Sequence, residues 1–225
     1  MATTKNINKV TIITTLFVMV SLCDMVGVVF NIELLRSVFK PMLMLTLLTL
    51  YVVSMQQVNG WYVGALVFSF FGDVLLLFEG ELYFMLGLIS FLIAHIIYIK
   101  IVLGWINTSS LKTILIATIP FLLVFFALIN LLKNSLNELF VPVVVYGITI
   151  SVMGIVSLLF YLNRKSVASK YMFMGACLFI ISDSVLAINK FYTTNNLFPI
   201  IIMLTYLAAQ YLILRAVLTH AKTNK

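Results

Sequence analysis

Charge is what this sequence has least of. Asp and Glu number seven in 225 residues, and charged residues make up 9%, against roughly 25% in soluble domains. With 63% hydrophobic residues, that scarcity excludes a soluble globular core. The long unbroken apolar runs exclude a β-barrel, whose strands alternate. Cysteine is also scarce. Cys23 and Cys177 both fall in apolar segments, lack neighbours at metal-ligand spacing, and read as small apolar residues. There is no HExxH, CxxC, Gly-rich phosphate loop or GxSxG elbow, so metal, nucleotide and serine-hydrolase readings lack support. The first apolar segment has no short h-region followed by a cleavage site, so no cleaved signal peptide is expected.

What is present is a series of apolar runs near the ~20 residues that span a bilayer. Hydropathy places them at about 10–31, 38–55, 61–78, 82–103, 111–132, 139–162, 170–189 and 197–219. The fold class is therefore all-α: a polytopic membrane protein of eight transmembrane helices, one integral membrane domain over 1–225. The linking segments (QQVNG, EGE, NTSS, KNSLNE, NRKSVASK, TTNN) carry turn residues and are too short to house a soluble domain. Eight spans put both termini on one side. If that side is the cytoplasm, Lys5, Lys9, Lys100, Lys112, Arg164, Lys165, Lys170, Arg215, Lys222 and Lys225 lie inside. Arg36, Lys40, Lys133 and Lys190 lie outside, with Glu79 and Glu81. Ten cations against four is a positive-inside bias. It accounts for the net charge of +7 without nucleic acid.

The chain also resembles itself. F-K-P at 39–41 matches F-V-P at 140–142, each opening a span. ALVFSFFGDVLL (65–76) aligns with GACLFIISDSVL (175–186), pairing Asp73 with Asp183. FLIAHIIYI (91–99) aligns with YLAAQYLIL (206–214), pairing His95 with Gln210. An even offset makes paired helices point the same way. The expectation is two four-helix half-repeats, about 10–103 and 111–219, related by an axis along the membrane normal. Asp73 and Asp183 are then expected at similar depth on facing helices, each roughly 18–20 Å from the inner end at ~1.5 Å per residue.

An ionisable residue inside a span marks a functional site by default, against the alternative of an Asp that only joins helices. Two acids at matched depth favour function. His95 and Tyr98 share a helix face, as do Tyr206 and Gln210, although His and Gln are also ordinary interhelical donors. Asp183 and Lys190 are seven apart on one face. Lys190 and Lys40 lie near the outer mouth, where snorkelling is the ordinary alternative. Asp24 has no counterpart in the repeat and reads as interfacial polarity. The eleven Met are scattered fillers.

Taken in order, K-P (40–41), G-D (72–73), F-x-x-A-H-x-x-Y (91–98), G-A-x-L-F-x-x-S-D-S-x-L-A-x-N-K-F (175–191) and Y-x-x-A-Q (206–210) resemble the YhhN-type lysoplasmalogenase family. The resemblance runs from Lys40 to Gln210. One departure is Leu207, where a second Tyr often follows the first. The resemblance implies an eight-span hydrolase that cleaves the vinyl ether bond of a lysoplasmalogen-like lysophospholipid to a fatty aldehyde and a glycerophospho-alcohol. It implies Asp73 and Asp183 as catalytic acids. Lys40, His95, Tyr98, Ser182, Ser184, Asn189, Lys190, Tyr206 and Gln210 would be substrate-binding residues. The expected partners are the lysophospholipid, water and membrane lipids in the cell membrane, with no cofactor, metal or nucleic acid.

A vinyl ether is labile to acid. The chemistry asks for a protonated acid, a base for water and negative charge beside a developing oxocarbenium ion, which two carboxylates can supply as in glycoside hydrolysis. Asp183 is preferred as the acid. The competing class is a proton-coupled small-molecule or lipid transporter. Such proteins break their helices near the site, whereas Pro41 and Pro142 are expected at helix starts. A retinal protein with its Schiff base on Lys190 fits neither the span count nor that residue's place near a helix end.

Overall fold

The computed structural model describes residues 2–223, with side chains from Asn8 onward; Lys5 and Lys225 of the orientation argument lie outside the described side chains. The described residues form eight α-helices: α1 (Ala2–Val29), α2 (Glu33–Ser54), α3 (Gly60–Leu75), α4 (Glu81–Leu103), α5 (Leu111–Leu132), α6 (Phe140–Arg164), α7 (Val167–Phe191) and α8 (Phe198–Thr223). Among them there is no strand. Seven helices are long and apolar enough to cross a bilayer. The exception is α3, with 16 residues, or ~24 Å at 1.5 Å per residue. The hydropathy segment 61–78 overran it. Leu77 and Phe78 turn back through amide bonds to the Val74 and Leu75 carbonyls, three residues earlier.

A second difference concerns Pro41. It does not open its helix but lies inside α2, which starts at Glu33. Glu33 and Arg36 lowered the hydropathy of the first turns and hid them. Proline there leaves the Ser37 carbonyl without its helical amide donor, a local weak point. Pro120 likewise lies inside α5, whereas Pro142 stands in the first turn of α6.

The chain divides into two compact units, residues 1–94 and 95–225. The boundary falls inside α4 rather than in the 104–110 loop between the expected half-repeats. In the first unit α1 and α2 form a tight antiparallel hairpin. Asn31 takes a left-handed conformation (φ 52°), and the Ile32 amide donates to the Gly27 carbonyl at 2.9 Å. This is a Schellman-type helix end with Asn in the place usually held by Gly. Between α2 and α3, the buried rings of Tyr51 and Tyr62 meet edge to face at 4.6 Å. The Asn59 amide donates to the Tyr51 hydroxyl, and the Asn59 side chain caps α3. At Gly72 and Gly87 helices α3 and α4 approach closely: Cβ atoms there would stand 2.6 Å from the Phe91 ring and 3.0 Å from Leu76.

In the second unit the most extensive helix contact is α7 on α8. It is possible because Gly175 has no side chain: a Cβ there would lie 3.1 Å from the Ala209 carbonyl oxygen. Small residues at helix crossings are the usual means of association in lipid, where no hydrophobic force acts between helices. α6 ends on Lys165 in the left-handed conformation (φ 44°), and α7 starts at once with a capping box made by Ser166 and Ser169. These two devices fix the α6–α7 turn and the register of Asp183 against α6.

Candidate active site

Asp183 lies at the seventeenth position of α7 and Tyr146 faces it from α6. The Tyr146 hydroxyl donates to Asp183 Oδ2. Beside this pair a cleft opens between α5, α6 and α7. Its walls include Val124, Phe125 and Leu128 of α5, Gly147 and Ile150 of α6, and Ile180, Asp183 and Ser184 of α7. The cleft is thus a greasy slot with one carboxylate and three hydroxyls, those of Tyr146, Ser151 and Ser184, in its lining. That is the usual composition of a ligand site: mostly apolar, with a few placed polar groups.

Behind the pair stands a set of buried rings. His95 meets Tyr146 at 5.6 Å and Phe179 at 4.6 Å between ring centroids, both edge to face. Phe179 in turn meets Tyr206 at 5.5 Å. Tyr98 donates to Gln210 Oε1 at 3.1 Å, and Gln210 Nε2 points to the Tyr206 hydroxyl at 3.5 Å. The residues of FLIAHIIYI and YLAAQYLIL that the sequence singled out therefore come together in this unit. They do so as a buried frame joining α4 to α8, and Tyr98, Tyr206 and Gln210 stand outside the cleft lining. Ser182 also turns away: its hydroxyl donates to the Ile202 carbonyl at 3.0 Å and ties α7 to α8. Ser184 lines the cleft. Asn189 is half-buried and Lys190 exposed in the last turn of α7.

The first unit holds the other candidates. Asp73 is buried, next to the Gly72–Phe91 approach. It lies thirteen residues into α3, and Asp183 sixteen into α7, or ~20 and ~24 Å from the helix starts. Asp73 is two residues from the end of its helix, however, and Asp183 eight. Lys40 is half-buried in α2. Asp24, set aside as interfacial, is fully buried in α1. Among the described residues no group of three or more His, Cys, Asp or Glu could hold a metal ion.

Sequence reasoning missed Tyr146. Its signal was a phenol in an otherwise apolar span, since a buried Tyr hydroxyl usually finds a polar partner. The pattern of acids did not lead to it.

An all-helical chain with seven helices long and apolar enough to cross a bilayer fits the class of polytopic membrane proteins, here with a carboxylate on an apolar cleft. Within that class, the YhhN family pattern matches residues 35–217, and the chain belongs to the YhhN family. No curated protein and no solved structure matches the chain.

Proposed function

We propose that the protein is a lysoplasmalogenase-type hydrolase of the cell membrane, cleaving the vinyl ether of lysoplasmalogen-like lysophospholipids. Family membership supports this reading. The observation that carries it to a site is the Tyr146–Asp183 pair at the apolar cleft. The hydrocarbon chain lies in the cleft. Lys190, seven residues beyond Asp183 on α7 and so ~10 Å along the helix, holds the phosphate across the glycerol.

The reaction begins by protonation of the vinyl β-carbon, which moves the double-bond electrons to that carbon and leaves an oxocarbenium ion. Water adds to the carbon bound to oxygen and loses a proton to a base. The hemiacetal then breaks its C–O bond, giving the aldehyde and the glycerol hydroxyl, and the acid's proton is restored. A carboxylate oxygen that already accepts from Tyr146 is an acceptor, the role of the base and cation stabiliser. We therefore assign that role to Asp183, reversing the preference from sequence. His95 and Tyr98, with Tyr206 and Gln210, set the position of Tyr146. Ser184 is the hydroxyl placed to orient water.

The transporter reading keeps one observation in its favour. Pro120 lies inside α5, the helix that walls the cleft, and Pro41 inside α2, each removing one helical hydrogen bond. Aldehyde release from a lysoplasmalogen by purified protein in detergent, where no vesicle exists, separates the two. With Asp183→Asn the release should fall by roughly a hundredfold or more. Full activity in that variant removes Asp183 from the mechanism.

A further inference from the structure

The α1–α2 hairpin holds a second charged cluster. Asp24 is fully buried on α1, and neither of its carboxylate oxygens has a hydrogen-bond partner. The charges acting on it are Lys40 and Arg36 of α2. Arg36 Nε is likewise buried without an acceptor. Gly27 brings the helices together at this point: a Cβ would lie 3.0 Å from Arg36 Cγ. An acceptor without donors and a donor without an acceptor thus share one cluster, yet they do not bond to each other. A buried polar group left so is costly.

The chemistry of the missing partner follows from both orphans. A cation alone would serve Asp24 but be repelled by Arg36 and Lys40. An anion alone would serve Arg36 but be repelled by Asp24. A zwitterion with N–H donors at one end and an oxyanion at the other serves both. The depth also fits. Asp24 is five residues from the end of α1, and Arg36 and Lys40 are three and seven from the start of α2, so all lie ~5–10 Å below the hairpin tip. The tip itself exposes Phe30 (70%) and Leu34 (73%), as a segment resting in lipid does.

We propose that the paired ends of α1 and α2 bind a phosphoethanolamine headgroup, with Asp24 on the primary ammonium and Arg36 and Lys40 on the phosphate. A choline headgroup, whose nitrogen carries no N–H, leaves the Asp24 oxygens unsatisfied. Asp24 lies outside the residues that match the family pattern, whereas Arg36 and Lys40 lie within them. The test reads headgroup binding, so its failure is distinguishable from a failure of the proposed hydrolysis.

The test is native mass spectrometry of the purified protein in detergent with lysophosphatidylethanolamine, its N-mono-, di- and trimethyl analogues, and the diacyl form of each. The wild type should bind the ethanolamine probe about tenfold more tightly than the trimethyl probe, as expected for a hydrogen bond to a charged group, with affinity falling at each methylation. Asp24→Asn should bring the ratio to near one. Arg36→Gln should weaken both headgroups and preserve the ratio. A preference confined to the lyso probes assigns the site to a lysolipid, and one shared by the diacyl probes to a bilayer lipid; each supports the headgroup chemistry. Equal binding across the methyl series in the wild type overturns it and leaves the cluster to water. An unchanged ratio in Asp24→Asn overturns the role of Asp24.

Discussion

At Asp183 two helices meet through a single hydroxyl. Tyr146→Phe keeps the ring against His95 but removes the donor to Asp183. The expected result is a fall in aldehyde release of about tenfold, the worth of one charge-assisted hydrogen bond, with little change in unfolding temperature. A fall as deep as that of Asp183→Asn would instead make Tyr146 a participant in proton transfer. Asp183 was legible in the sequence because an acid stands out in an apolar run. Tyr146 was not, because an aromatic ring in an apolar helix looks like packing until its hydroxyl is seen to have a partner on another helix. Asp24 was dismissed for lacking a counterpart in the repeat. Its relation to Arg36 and Lys40 spans a hairpin, and periodicity along one helix does not report such a pairing.

The elements were readable wherever hydropathy alone decides, as at α4 and α5, whose bounds fall within a residue of the apolar segments. They were misread where polar residues enter a helix, as at the start of α2, or where apolar residues leave one, as at Leu76–Phe78. Helix contacts rest on glycines that hydropathy cannot rank. Gly175→Ala should cost about 1–3 kcal/mol, because the Cβ would press on the Ala209 backbone carbonyl, which cannot turn aside as a side chain can. Gly60→Ala meets nothing within 4 Å and should be neutral or stabilise by up to about 1 kcal/mol. Thermal unfolding of both variants in detergent checks the contrast. The cap of α7 is a second handle: Ser166→Ala, which removes the capping box, should cost about 1 kcal/mol.

For the whole molecule, the open quantity is the number of crossings, because α3 is ~24 Å long against a ~30 Å hydrocarbon core. If α3 crosses, both termini lie on one side, and the excess of Lys and Arg puts that side in the cytoplasm. Reporter fusions at each terminus should then both read cytoplasmic, and a tag in the Glu79–Glu81 turn should read outside. Termini on opposite sides would mean that α3 does not cross. Neither result alters the cleft, which is built from α5, α6 and α7.

The most direct measurement of the central claim is aldehyde release by the purified protein in detergent, with lysoplasmenyl-ethanolamine as substrate. The account predicts equimolar fatty aldehyde and glycerophosphoethanolamine from the wild type, and their near disappearance with a folded Asp183→Asn variant. A folded wild-type protein that releases no aldehyde, or an Asp183→Asn variant as active as the wild type, would contradict it.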